Sequence, residues 1–518
     1  MKKKTLSLLM SSAMMASLLT ACGGGGDTPA ASDSPAPTQA PATASTAPSV
    51  APTPQEPTKL TVMLPLNIAE TPPDVIKNEI EKLTNTKLTY QFFPADTYEE
   101  KLNTSFATGS LPEITYLKNQ ATFIMMKEAI REGQFWEIGP YLAEFPNLNK
   151  LKPLVLDNTK VDGKLYSLYI GRPLARQGLI YRKDWADKLN IAPPANVDEL
   201  FAMLKAFTEQ DPDGNKINDT IGLADRNDLI YGAFKTVASW FKTPNNWGDQ
   251  DGKLQPEFMF PEYVASMDYM KKLRDNKIIN QDFAATSKTD QVKLFTSGKA
   301  GAYIGSMQDI DSLVKDLVKN VPDAVVETHS KIAGPTGEVA TWAIPGYNNV
   351  VIFPKAAIKD EARLKEVLAY FDKLMTPEVA NTMYWGIEGV HYNVVDGKAK
   401  VADDKEKVER EVKGYKDSVI GESETNGMYE AFNTLPGRIH AEELILENAK
   451  IAINDPTSAL DSATYTEKGI QLQDLIKDAT YKYMYGEIDK AGFDKAVAEW
   501  SKRGGEQIIA EYNEVYKK

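Results

Sequence analysis

The chain has 518 residues, of which 42% are hydrophobic and 25% charged. This is the composition of a globular protein that is long enough for two or three domains. Its formal net charge is −13 at pH 7, which disfavours nucleic acid and anionic lipid surfaces as partners. The sequence contains one cysteine, so we expect no intrachain disulfide, and the hydrophobic cores alone must stabilise the fold.

The N-terminal 22 residues predict a leader for export. Lysines at positions 2–4 precede an apolar stretch, residues 8–19, that is too short to cross a bilayer as a stable helix. The sequence LTAC at 19–22 resembles a bacterial lipobox. It predicts that Cys22 carries a lipid that anchors the protein on the extracellular face of the cytoplasmic membrane. An ordinary signal peptide with a chance cysteine is the alternative.

Residues 23–58 predict a disordered tether. They contain eight prolines, three charged residues and scarcely any large apolar side chain, so they cannot bury enough surface to fold. A proline-rich recognition peptide is the alternative interpretation, but the basic residues that usually flank such a peptide are missing here. The folded part of the chain is therefore expected to begin near residue 59.

The first folded segment alternates short apolar runs with helical periodicity. Strands are predicted at 60–66, 88–93 and 114–117, and helices at 74–83 and 98–108. This order predicts a parallel or mixed sheet with helices on both faces, in which ligands bind at the carboxyl ends of the strands. We therefore expect the loops after Leu66 and Leu117 to line a site.

Two later segments carry the signals of core helices. Asn196 and Glu199 form a capping-box pattern ahead of an apolar stripe, and residues 360–375 repeat the arrangement with Asp360 at the cap. Between these helices and the first segment, the apolar run at 179–181 predicts another buried strand.

The sharpest local motif is DPDGNKIND at 211–219, directly after the first of these helices. Oxygen-bearing side chains at alternating positions, with a backbone carbonyl between them, suit a hard cation such as Ca²⁺. The predicted ligands are Asp211, Asp213, Asn215, Ile217 through its carbonyl, and Asp219. Gly222 stands at the twelfth position, where a calcium loop of this kind has Glu, so we expect a weakly bound structural ion. A polar turn without metal is the alternative.

Several segments, in the same order, resemble those of family 1 extracellular solute-binding proteins, the oligosaccharide-binding lipoproteins of bacterial ABC importers. Besides the calcium-type loop, they are GLIYRKDW at 178–185, FTSGKA at 295–300, GIEGVHY at 386–392 and WSKRGG at 500–505. The resemblance covers residues 59–518 and extends to the calcium loop of alginate-binding members. Those members commonly have an acidic residue where Thr220 stands here.

The resemblance implies an α/β fold of the two-lobed, type II periplasmic-binding-protein kind. Each lobe would be a mixed sheet flanked by helices, and a hinge would join the lobes. Lobe one would comprise residues 59–176 and 350–412, and lobe two residues 177–349 and 413–518.

The resemblance also implies how a solute is held. Aromatic rings stack on sugar rings, and charged or amide side chains bind the hydroxyls. The predicted ligand-binding residues follow strands, lie near the first hinge crossing or occupy loop-like segments: Tyr116, Lys118, Asn119, Arg172, Trp240, Trp247, Trp342, Tyr347, Trp385, Glu388 and Arg438. Core packing is the alternative interpretation for any one of the aromatic residues.

Signatures of catalysis are scarce in this sequence. It has no G-x-S-x-G, H-E-x-x-H or phosphate-loop motif, and Ser312 and Lys315 fit S-x-x-K without the companion motifs of penicillin-binding enzymes. The anchor, the tether and the resemblance to solute-binding proteins together imply a monomeric receptor, not an enzyme, that captures an oligosaccharide and delivers it to an ABC-transporter permease. A surface sensor with a membrane signalling partner and a glycoside hydrolase with two carboxylates are the alternatives.

Overall fold

The computed structural model describes residues 56–516. The predicted leader, Cys22 and residues 23–55 of the predicted tether lie outside the described residues. Within residues 56–516, no helix is both long and apolar enough to span a membrane.

The strands are β1 (Thr58–Leu66), β2 (Thr86–Pro94), β3 (Ile114–Tyr116), β4 (Ser167–Gly171), β5 (Gln177–Arg182), β6 (Ile221–Ala224), β7 (Trp247–Gln250), β8 (Lys253–Pro256), β9 (Ala300–Ser306), β10 (Val326–His329), β11 (Thr341–Trp342), β12 (Tyr347–Ile352), β13 (Tyr392–Val395), β14 (Lys398–Val401) and β15 (Ala452–Ile453). The α-helices are α1 (Val75–Thr84), α2 (Tyr98–Ala107), α3 (Gln120–Arg131), α4 (Pro153–Asp157), α5 (Lys183–Lys188), α6 (Val197–Glu209), α7 (Ala233–Trp240), α8 (Pro261–Asp275), α9 (Lys288–Thr296), α10 (Ile310–Leu317), α11 (Glu361–Leu374), α12 (Pro377–Trp385), α13 (Lys405–Glu411), α14 (Lys413–Lys416), α15 (Ser423–Asn426), α16 (Pro436–Asn448), α17 (Ala463–Met484), α18 (Lys490–Trp500) and α19 (Glu506–Tyr516).

The first sheet has the strand order β2-β1-β3-β12-β4. Strand β1 pairs in parallel with β2 and β3, as the β-α-β-α-β pattern predicts, and the five predicted elements of this segment are all present. Strand β12 inserts antiparallel between β3 and β4 and makes the sheet mixed. The carboxyl ends of β1 to β4 therefore lie at one edge of the sheet.

The second sheet has the strand order β10-β5-β9-β6. Strand β5 runs antiparallel to β9, and Gln177 at its start pairs with Ser306 at the end of β9. Strand β6 runs parallel to β9. The carboxyl ends of β6 and β9 thus lie at the same edge as the start of β5, where the chain arrives from the first sheet.

Each sheet has its own hydrophobic core. The first cluster contains side chains of β1, β3, β4, β12, α3 and α11, and the second contains side chains of β5, β9, α6, α7, α8 and α17. We call each sheet, with the elements of its cluster, the first and the second lobe. The first cluster also contains Val412, Tyr415 and Ile420, so the predicted boundary at 412/413 falls within elements that pack on the first sheet.

The chain crosses between the lobes three times, the last time between residues 420 and 479, and the first two crossing segments are adjacent. Residues 171–177 lead from β4 to β5, and residues 342–347 lead from β11 back to β12. The segments are hydrogen-bonded to each other: the Arg172 amide donates to the Gly346 carbonyl at 2.9 Å and the Ile344 amide to the Leu174 carbonyl at 2.8 Å. The predicted boundary at 349/350 falls inside β12, whose first residue is Tyr347.

The capping predictions describe the two helices well. The Asn196 side chain accepts the amide hydrogens of Asp198 and Glu199 at the start of α6, and Asp360 accepts that of Arg363 at the start of α11. The Glu199 carboxylate accepts the amide hydrogen of Ala195 at 2.8 Å, one residue earlier than a capping box requires.

Candidate functional site: the cleft between the two lobes

The candidate site lies where the carboxyl ends of strands from both lobes face the crossing segments. Three loops leave the sheets there: residues 67–70 after β1, residues 117–119 after β3, and residues 225–232 after β6. The carboxyl edge is where open α/β sheets bind ligands. We call this region the cleft.

Internal hydrogen bonds hold the loop after β6 in one conformation. The buried Asp225 carboxylate accepts the Ala233 amide hydrogen at 2.8 Å, and burial raises the pKa of Asp225 to about 6. One oxygen of Asp228 accepts the amide hydrogens of Ile230 at 3.0 Å and Tyr231 at 2.9 Å. The loop therefore presents a fixed aromatic ring, since Tyr231 is 46% exposed.

Trp342 supports this ring from behind. The centroids of the Tyr231 and Trp342 rings are 5.8 Å apart. The Trp342 indole is 4% exposed and donates to the Thr236 hydroxyl at 3.1 Å. Of the two aromatic residues, Tyr231 thus offers the open face that a sugar requires, and the sequence analysis did not name it.

Arg172 lies on the crossing segment that leads from β4 to β5. It interacts electrostatically with Tyr231 of the loop after β6. Partial burial and the Arg176 guanidinium lower the pKa of Arg172, while Tyr231 and Asp417 oppose the shift. These residues come from the crossing, the second lobe and the first lobe, and each of the other three acts electrostatically on Arg172. The structure thus brings the predicted residue Arg172 together with three that were not predicted.

The first lobe contributes a second group to the cleft. The Lys416 ammonium lies 4.0 Å from the Tyr384 ring centroid and 5.2 Å from that of Trp385, and burial lowers its pKa. The Asn67 amide donates to the neighbouring Asp417 at 2.7 Å. We call Arg172, Arg176, Tyr231, Tyr384, Lys416 and Asp417 the cleft cluster.

Four of the predicted aromatic residues belong to cores. Tyr116 is 2% and Tyr347 6% exposed, and both lie in the first cluster. Trp240 is 1% exposed in the second cluster, while Trp247, 7% exposed, packs edge-on against Tyr512 with ring centroids 4.8 Å apart. Their ring faces are covered by protein, so in this structure they pack the interior instead of offering a stacking surface.

The remaining predicted residues differ in their surroundings. Trp385 is 7% exposed and donates to the Tyr429 carbonyl at 2.9 Å, so it supports Lys416 from beneath. Asn119 caps α3, and Lys118 before it is half-buried. Glu388 lies exposed in the turn before β13.

Arg438 forms hydrogen bonds and ion pairs with residues of its own lobe. Its guanidinium donates to the Asp311 carboxylate at 3.1 Å, the Glu442 carboxylate at 3.2 Å and the Gln308 carbonyl at 3.2 Å. These contacts largely neutralise its positive charge. The charge still acts on Tyr384 of the cleft cluster, where it opposes the rise in pKa that burial causes.

The predicted calcium loop is folded as a compact turn with converging oxygens. The Asn215 amide donates to Asp213 at 2.8 Å and to Asp219 at 3.3 Å, so these three side chains point at one another. The Asp211 carboxylate accepts the Lys216 amide hydrogen at 3.1 Å. Lys299 forms an ion pair with Asp219.

This oxygen set fits a hard cation, because rotation of the Asn215 amide would replace its two donated hydrogen bonds by an oxygen ligand. Among the described residues, however, no group of three or more His, Cys, Asp or Glu side chains is placed to hold a metal ion. The loop therefore has the donor chemistry of a calcium site, with fewer carboxylates assembled than a strong site uses.

Two concavities are lined by residues outside the cleft cluster, and one of them borders the loop after β1, which belongs to the cleft. One of about 540 Å³ lies between the loop after β1 and α13, and one of about 810 Å³ lies between α6, α8 and residues 333–337. Neither is lined by Tyr231 or the crossing arginines. We place the candidate site at the cleft because the strand ends of both lobes meet there.

Two known proteins have sequences similar to most of this chain. The *Bacillus subtilis* (strain 168) protein named polygalacturonan/rhamnogalacturonan-binding protein YtcQ is 45% identical over 467 residues, which cover 90% of this chain and 92% of that protein. Lipoprotein LipO of the same strain is 31% identical over 464 residues, which cover 88% and 91% of the two chains.

Solved structures with similar folds cover nearly the whole folded part. An HMO binding ABC-transporter associated solute binding protein from *Bifidobacterium longum infantis* ATCC 15697 has a TM-score of 0.67 at 18% identity and covers 89% of this chain and 99% of its own. The alginate-binding protein AlgQ2, solved without calcium ion, has a TM-score of 0.60 at 17% identity, covering 89% and 98%.

These similarities confirm the predicted two-lobed, type II α/β fold. Residues 67–381 match the model of the family described as bacterial extracellular solute-binding protein. The family is described as extracellular, in agreement with the export that the leader predicts. The chain belongs to the bacterial extracellular solute-binding protein family.

Proposed function

We propose that this protein captures an extracellular oligosaccharide in the cleft and delivers it to an ABC-transporter permease. The observation that carries the proposal is the exposed side chain of Tyr231, on a loop at the carboxyl edge whose backbone is held by Asp228 and whose tyrosine interacts electrostatically with Arg172. A fixed aromatic face with charged groups at its edge is the usual arrangement for sugar recognition. A ligand that contacts both lobes would favour their closure.

The name of YtcQ makes fragments of polygalacturonan and rhamnogalacturonan the first ligands to test. The proposed role includes capture without chemical change. We propose further that a lipid on Cys22 anchors the protein outside the cell and that it acts as a monomer.

A thermal-shift screen of pectic and other plant or microbial oligosaccharides tests capture. At a ligand concentration one hundred times Kd, binding should stabilise the protein by about 2.7 kcal/mol and raise its Tm. Mass spectrometry of each stabilising glycan should recover it unchanged. A glycan recovered cleaved would favour the hydrolase, and no shift with any glycan would contradict capture of oligosaccharides.

The calcium proposal rests on the loop at 211–219. We propose that Asp211, Asp213, Asn215, Asp219 and the Ile217 carbonyl hold a structural Ca²⁺ that supports the turn between α6 and β6. Asp211→Ala combined with Asp213→Ala should abolish the rise in Tm that Ca²⁺ produces. Asp478→Ala combined with Asp494→Ala is a matched control, because each of these acids pairs with a lysine four residues away on its helix. An equal calcium shift in both double variants would discard the site.

A further inference from the structure

Two arginines of the crossing segment have no acidic partner among the described residues. Neither the Arg172 nor the Arg176 guanidinium is hydrogen-bonded or ion-paired to a carboxylate in residues 56–516, and the buried Arg176 Nε atom lacks any hydrogen-bond partner. Other arginines of this acidic chain are paired: Arg131 with Asp162 and Arg363 with Glu113. The crossing therefore carries an uncompensated double positive charge.

Such an arrangement is unfavourable on its own. Two like charges repel, and burying a guanidinium donor without a partner costs free energy. The effect of Arg176 on Arg172 shows that the two charges interact. Asp417 is the acid that opposes the lowering of the Arg172 pKa by burial and by Arg176. Asp417 accepts a hydrogen bond from the Asn67 amide, however, and it forms no ion pair with Arg172. An anion from outside the chain would relieve both costs.

Hydrogen bonds of the main chain hold the backbone of Arg172 and Arg176 in place. The Arg172 amide donates to the Gly346 carbonyl at 2.9 Å, and the Arg176 carbonyl accepts the Met307 amide hydrogen at 2.9 Å. The first contact ties the segment to the second crossing, and the second ties it to the end of β9. Arginine donors on a fixed backbone suit a carboxylate, whose two oxygens match the fork of a guanidinium.

A third cation of the cleft cluster is similarly unpaired. The Lys416 ammonium lies over the Tyr384 and Trp385 rings, and no carboxylate within the described chain lies at ion-pair distance from it. Ring faces stabilise an ammonium without neutralising it. The cleft cluster thus holds three cations that form no ion pair within residues 56–516, in a chain whose net charge is −13.

We infer that Arg172 and Arg176 bind a carboxylate of the ligand, so that the receptor selects acidic, uronate-containing oligosaccharides over neutral ones of the same length. The inference rests on the proposed function and specifies the ligand class of the same cleft. Tyr231 would stack on the sugar ring whose carboxylate meets the arginines. Because the arginines lie on the crossing between the lobes, neutralising them also removes a repulsion at the point about which the lobes move.

Isothermal titration calorimetry of the purified protein with tetragalacturonate and with its fully methyl-esterified form tests the inference. The two probes share one backbone and differ in charge. The native protein should bind the acid at least about ten-fold more tightly, since charge-assisted hydrogen bonds to carboxylate are lost in the ester. Arg172→Gln and Arg176→Gln should each reduce this preference to less than about three-fold.

Arg503→Gln is the matched control, because this exposed arginine pairs with Glu499 on the C-terminal helices and should leave the preference unchanged. Arg172→Lys keeps the charge without the planar fork, and an intermediate preference is expected. An undiminished preference in both glutamine variants would overturn the inference, as would equal binding of acid and ester by the native protein. If no glycan of the wider screen binds at all, the proposed function fails together with this inference.

Discussion

Replacing Trp240 by alanine is expected to lower the free energy of unfolding by about 3–5 kcal/mol, the cost of removing a large aromatic side chain from a core. The indole is 1% exposed in the second cluster. The site also has little room to collapse, since a Cβ at Gly334 would come within 1.9 Å of the Trp240 carbonyl. Urea unfolding followed by circular dichroism measures the change.

Tyr231→Ala is the matched comparison for Trp240→Ala. Because the Tyr231 ring is 46% exposed, its loss should change stability by less than about 0.5 kcal/mol. It should weaken ligand binding by roughly 1–3 kcal/mol if the ring stacks on a sugar. If the Trp240→Ala protein were stable but bound the ligand weakly, Trp240 would be a ligand-stacking residue, as the sequence predicts, and not a core residue.

Replacing Asp461 by alanine is expected to cost about 3 kcal/mol of stability. One carboxylate oxygen accepts the Lys127 ammonium at 2.6 Å, and the other binds Arg131. The Lys127 side chain is only 9% exposed, so removing its partner leaves a nearly buried charge uncompensated. Chemical unfolding with urea should show the loss as a lower midpoint concentration.

The control for Asp461→Ala is Asp162→Ala. Asp162 accepts the Arg131 guanidinium at 3.1 Å but is 62% exposed, and Arg131 keeps its bond to Asp461. A loss of at most about 1 kcal/mol is expected. Because Lys127 and Arg131 lie on α3 of the first lobe and Asp461 directly precedes α17 of the second, equal losses in both variants would show that no strong ion pair joins the lobes here.

The first segment of the fold could be predicted because its signals are local. Alternating apolar runs, helical stripes and turn residues lie within 60 residues of one another, and the elements found match those expected. The place of β12 could not be found in this way. Tyr116 pairs with Val351, and nothing in either strand's own sequence specifies so distant a partner.

The binding residues were predicted less completely than the fold, because the exposure of a side chain depends on residues that are distant in sequence. Trp240 and Trp247 border a segment rich in turn residues, which suggested exposure, yet both rings are covered by side chains from distant parts of the chain. Tyr231 stands alone in a polar loop and carries no periodic signal. The rule that ligands bind after the carboxyl ends of strands could have found it, had the short strand β6 been recognised.

The insertion of β12 into the first sheet has a consequence for the order in which the protein folds. Strand β4 pairs with no strand of that sheet except β12 among the described residues. A nascent chain that ends before residue 347 therefore carries two unpaired strand edges, on β3 and β4, and open edges promote aggregation. The first sheet can be completed only after the part of the second lobe from β5 to β11 has been made. Its completion therefore depends on contacts between residues far apart in sequence, which form slowly.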